Sequence, residues 1–108
     1  MAVASRQIRR HTQNVELFPV GGTQAITVES GADVLAVLSH GTPDRVLATL
    51  EGGTDGQVVV LEVDGELPTH GITLVGSDTL ALTTSLVLAD RSSRLIWRRN
   101  GKWRVYGT

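Results

Sequence analysis

The sequence predicts an all-β domain of short strands: a small sandwich, barrel or β-helical prism, with an extended arm at its amino end and a β-hairpin at its carboxyl end. Three observations carry this. Turn-forming residues recur at intervals of about six to twelve from Gly21 onward, as in domains built of short strands. Between them Ile26/Val28, Ile72/Leu74, Leu80/Leu82 and Leu86/Leu88 alternate with period two, the pattern of half-buried strands. Finally, Asn100-Gly101 divides two strand-like runs, and Asn-Gly is the dipeptide best suited to a two-residue turn needing positive φ twice.

Residues 1–20 are the least periodic and are set apart as an amino-terminal arm; residues 21–108 are read as a single all-β domain. Within the arm, 1–13 is expected to be extended and 14–20 a short strand or docking segment. Strand-length segments follow at 25–29, 34–39, 45–50, 57–63, 72–75, 79–82, 86–89, 94–99 and 102–106. Ala32 to Leu38 is long enough for two helical turns, but its length and β-branched content favour a strand. The stretch Gly52-Gly53-Thr54-Asp55-Gly56-Gln57 concentrates three glycines in a turn, where positive φ is expected, with Thr54 and Asp55 bonding their own backbone. It feeds Val58-Val59-Val60-Leu61, expected to be a strand buried on both faces. At the hairpin the turn sets the register: Arg99 opposes Lys102, Arg98 opposes Trp103, and Trp97 opposes Arg104. Leu95, Trp97, Arg99, Lys102, Arg104 and Tyr106 then share one side, and Ile96, Arg98, Trp103 and Val105 the other. Trp97 and Arg104 become cross-strand neighbours suited to a cation–π contact.

Composition narrows the function classes. The 108 residues include four aromatics, Phe18, Trp97, Trp103 and Tyr106, and no cysteine. Thiol chemistry, thiolate metal sites and disulfides are therefore excluded. A small domain with so few large side chains gains from burying further surface against other copies. The amino terminus lacks the apolar core of a signal peptide, and no run approaches the roughly 20 residues of a membrane span, so a soluble chain is expected. All eleven carboxylates lie from Glu16 to Asp90 with a single base, Arg45, among them, whereas both ends are basic. That asymmetry suits self-association or docking on an acidic surface; solvated charge on exposed strands is the alternative.

No nucleophile elbow, phosphate loop or dinucleotide fingerprint is present, and no enzymatic activity is expected. His11, His40 and His70 lack companion ligand spacing, and the latter two precede glycines in turns, so solvated histidines are expected rather than metal ligands. Asp55, Asp64 and Asp78 are expected in glycine-containing turns and lack the dense spacing of a calcium loop. Trp97 with its neighbouring arginines could stack on a base or sugar, but a packing or subunit-contact role suits a closing hairpin better. No cofactor, nucleic acid or membrane partner is expected.

The run Arg45 to Leu61 containing Gly-Gly-Thr-Asp-Gly-Gln, then Ile72-Thr73-Leu74, Gly76-Ser77-Asp78-Thr79-Leu80-Ala81-Leu82 and the Asn-Gly-Lys-Trp ending resemble the β-structured modules of tailed-bacteriophage virion proteins: tail fibres, spikes and head appendages. The resemblance covers about residues 45–106, and Trp103 stands at the tryptophan position near the carboxyl end. It implies a non-enzymatic, homotrimeric structural role in the virion. The module is reached within about forty residues of Met1, with no long upstream shaft, which favours a capsid decoration (cement) protein bound to the major capsid protein or another virion protein. A tail spike or fibre tip, or a carbohydrate-binding β module, is the alternative. Trp97, Trp103, Arg104 and Tyr106 are the expected subunit contacts or structural anchors. Arg6, Arg9 and Arg10, with His11 beside them, and then Val15, Leu17 and Phe18 are expected to attach the arm to its partner. Thirteen extended residues reach on the order of 40 Å, far enough to cross a subunit boundary.

Overall fold

Strand-forming segments and short turns alternate along the described chain, and the computed structural model, which describes residues 11–107, contains strands and no helix there. The strands are β1 (Thr12–Leu17), β2 (Thr23–Val28), β3 (Val34–Ser39), β4 (Leu47–Gly52), β5 (Val58–Gly65), β6 (Ile72–Leu74), β7 (Leu86–Leu88), β8 (Ser92–Arg99) and β9 (Lys102–Val105). They form two mixed sheets, a five-stranded one of order β1-β3-β5-β8-β9 and a four-stranded one of order β2-β4-β6-β7. Through its first six strands the chain crosses from one sheet to the other at every connection. Odd strands therefore stack in parallel on odd, and even on even. The last three strands close the sheets antiparallel: β7 on β6, β8 on β5, and β9 on β8.

The parallel register builds the interior row by row. Val15, Val37 and Val63 stand in one row, and Leu35 and Leu61 in another. From the other sheet, Ile26 and Val28, Ala48 and Leu50, and Ile72 and Leu74 join the same core, which Leu80, Ile96, Trp103 and Val105 complete. Intervening residues point away, so β1, β2 and β5 read as one buried and one outer face, whereas β4 and β6 also bury Thr49 and Thr73 between their core residues. Gln13 and Gln24 hold positions at which later passes bury leucine or alanine, and their amides bond the Thr27 and Phe18 carbonyls at 2.8 and 2.9 Å. Gln24 thereby ties down the connection between the first two strands, and Gln13 ties β1 to β2 itself.

The glycine-rich turn does what its sequence demands, with φ of 74°, 77° and 92° at Gly52, Gly53 and Gly56. Its hydrogen bonds differ from expectation. Gln57 locks it: its side-chain oxygen accepts from the Thr54 N–H at 3.0 Å, and its amide donates to the Glu29 and Ala32 carbonyls. Asp55 bonds across space instead, accepting from the Arg98 guanidinium at 2.7 Å and the Gly101 N–H at 3.0 Å. The turn is thus tied to the hairpin tip, because a carboxylate gains more from a cation and a free N–H than from its own turn.

Other expectations divide. The hairpin register is as predicted, with Asn100 and Gly101 at φ of 53° and 78°. Ala32–Leu38 gives a strand. The aliphatic run of β5 is buried on one face only: Val59, Leu61 and Val63 point inward, while Val58 is 53% exposed. Four branched residues in a row fill both faces of a strand without requiring cover on both. Residues 79–82 form no strand; Leu80 makes isolated bridges to Ser77 and Trp103, capping the outer edge of β9. Asp64 lies within β5 rather than in a turn. Thr12–Leu17 is the edge strand of the larger sheet, paired along its length with β3, so a short strand expected at 14–20 runs instead from Thr12 to Leu17; residues 1–10 of the expected arm lie outside the described residues.

Candidate interaction surface

The outer face of the five-stranded sheet is less polar than a solvated face. Val34, Val60 and Leu95 lie side by side across β3, β5 and β8, and Val58 lies beside Trp97. Tyr106, just beyond β9, places its ring 4.6 Å from that of Trp97 at an interplanar angle of 48°. Leu95 is 38% exposed and Tyr106 57%. The result is a contiguous aliphatic and aromatic belt over β5, β8 and β9.

Charge on this face is segregated. Arg99, Lys102 and Arg104 project from the hairpin on the same side as Trp97, whereas Glu62 and Asp64 lie beside Ala36 and Leu38 toward β1. None of these five forms an ion pair among the described residues. Arg104 also carries a buried Nε without a hydrogen-bond partner. Asn14, Glu16, Ala36, Leu38 and Asp64 border an open groove of about 420 Å³ on the acidic half.

The two tryptophans play different parts. Trp103 is fully buried, its ring lies over Gly53, and its Nε1–H donates to the Gly52 carbonyl at 3.0 Å. It anchors the hairpin to the glycine turn. Trp97 is half-buried on the opposite side of the ribbon, against Tyr106. Its cross-strand neighbour is Arg104 as predicted, and its ring partner is the tyrosine.

A second cluster sits where the odd strands end. His40 donates or accepts at both ring nitrogens, with Glu66 at 2.9 Å from Nδ1 and Glu16 at 2.9 Å from Nε2, while its face stacks on Phe18 at 4.4 Å. The Glu66 carboxylate, and next the Glu16 carboxylate, raise its pKa above the ordinary 6.5 by favouring the form with two N–H donors. The sequence placed His40 among solvated turn residues; instead it cross-links three passes of the chain. Among the described residues no group of histidines and carboxylates converges on a metal-sized point. His40 illustrates why, since its partners lie on opposite edges of the ring. His11 pairs singly with Glu29 at 2.7 Å, and His70 has a buried Nδ1 without a partner.

The expected attachment residues separate. Arg6, Arg9 and Arg10 lie outside the described residues. Val15 is half-buried against the core and lines the open groove, whereas Leu17 is 5% exposed within the core; their alternation belongs to β1. Phe18 is half-exposed and committed on one face to His40. Val58 and Glu62 went unrecognised as surface residues, because only the β5–β8 pairing brings them beside Leu95 and Trp97, which the hairpin register had placed on one side. Comparison with known protein families, curated proteins and solved structures found no match to this chain.

Proposed function

We propose that this chain is a structural protein of a tailed-bacteriophage virion, a homotrimeric decoration protein that binds and stabilises the assembled head. The observation that carries the reading is the outer face of the five-stranded sheet, where Val58, Leu95, Trp97 and Tyr106 form an exposed apolar belt. Contiguous patches of this kind mark surfaces that other proteins cover. The resemblance of residues 45–106 to virion modules supplies the setting. The stacking of successive passes in parallel supports a short β-helical prism closed by an antiparallel ribbon, and such a body is rigid enough to serve as a cement between shell subunits. Attachment to the major capsid protein is assigned to the arm through Arg6, Arg9 and Arg10, whose guanidinium groups suit acidic surfaces. Three arms on one trimer act together, so that modest single affinities combine into tight binding.

The test is addition of the purified chain to phage heads stripped of their accessory proteins. Saturable binding at a copy number matching the capsomers supports a decoration protein; binding confined to a few copies at the tail points to a spike or fibre tip. The Trp97–Tyr106 pair favours carbohydrate binding as the second reading, since exposed aromatics can stack on sugars. Glycan binding that is lost in Trp97→Ala, with no affinity for heads, would select it.

A further inference from the structure

We propose that the outer face of the five-stranded sheet docks a second copy of this chain, the basic β8–β9 half of one copy lying on the acidic β1–β3–β5 half of its neighbour. This deepens the assembly reading above and rests on it for the number of copies, but the surface is assigned on its own observations. A water-facing strand face should alternate to polar residues. Here Val58 and Leu95 are exposed, and Ala36, Leu38 and Val60 half-buried, at outward positions instead.

The occupant follows from charge. Glu62 and Asp64 on one half, and Arg99, Lys102 and Arg104 on the other, lack ion-pair partners within the described chain. A face that is acidic at one side, basic at the other and apolar between them is complementary to itself when unlike halves meet. The groove floored by Ala36 and flanked by Glu16 and Asp64 is open and roomy enough to take a long basic side chain. Arg99 and Lys102, both exposed, offer such side chains from the other half. Nucleic acid fits this face poorly, because Glu62 and Asp64 would repel its phosphates. A sugar stacked on Trp97 and Tyr106 would leave Glu62, Asp64 and the basic residues of the hairpin without partners.

The experiment is sedimentation equilibrium on the full chain and three variants: Glu62→Lys/Asp64→Lys, Arg99→Glu/Lys102→Glu, and all four substitutions together. All four side chains are exposed, so the fold should persist, and far-UV circular dichroism checks it. The wild type should self-associate. Each double variant should dissociate at least about tenfold more readily, because reversal places like charges opposite one another. The quadruple variant should recover most of that loss, since swapping both halves restores their complementarity. A monomeric wild type, double variants that associate normally, or a quadruple variant that stays dissociated would each overturn the inference. Head binding by a monomeric wild type would leave the decoration role standing without this surface. Normal rescue in a chain that never binds heads would leave the surface standing without that role.

Discussion

Two glycines and a tryptophan show how single side chains hold this fold. Trp103 fills the space between the glycine turn and the hairpin, so Trp103→Ala should lower unfolding free energy by about 3–5 kcal/mol in urea titrations. Trp97→Ala, at a half-buried surface position, should cost clearly less. Gly53→Ala should be worse than Gly101→Ala although both residues have positive φ. A Cβ at Gly53 would lie 2.4 Å from the Trp103 ring, whereas one at Gly101 meets nothing within 4 Å. Gly101→Ala should therefore show only the backbone penalty, about 1 kcal/mol. His40 adds a dependence on pH. Its folded pKa is raised, so its contribution is complete below the ordinary value of 6.5 and is lost as pH rises through the raised value. Melting temperature should fall across that window in the wild type, and the His40→Gln protein should lack this component. A wild-type profile identical to that of the variant would contradict the His40 bridge. Trp103 was legible in the sequence because Asn100-Gly101 sets its register. His40 was not, because Glu16 and Glu66 stand 24 and 26 residues away and meet it only through strand stacking.

Among the strands, those that alternate cleanly were legible individually, and their neighbours were not. Period two marks Ile26/Val28 and Ile72/Leu74 as half-buried whatever they pair with. The crossing of the chain between sheets is harder to read: Val34, Leu35 and Val37 recur in register as Val60, Leu61 and Val63, but the first pass places Thr12 and Gln13 where the later two place valine and leucine. Leu80 and Leu82 alternate equally well, yet their segment only bridges Ser77 and Trp103. The hairpin is the exception, since a two-residue turn dictates its partner. Its link to the glycine turn passes through Asp55, which holds Arg98 and the Gly101 N–H. Asp55→Ala should weaken the fold by about 1 kcal/mol or less, as expected for a pair with an exposed carboxylate, and by less still in high salt. Hydrogen exchange should quicken at Gly101 before it quickens in β5. Equal rates in variant and wild type would remove the strut from the account.

For the whole molecule, the segregation of charge along the chain foreshadowed the segregation of charge on one face, but it could not say which strands would carry the two halves. The apolar belt was concealed in β5, where four successive aliphatics looked like a doubly buried strand and prove to include two outward residues, Val58 and Val60. Deleting residues 2–10 should leave β1 and the two sheets intact while abolishing attachment to stripped heads; full binding by the truncated chain would move the attachment site to the β body. Assembly itself is read from the mass of the chain in solution. Light scattering at micromolar concentration should give about three times the 11.5 kDa chain mass. A mass of one chain across the whole concentration range would contradict it.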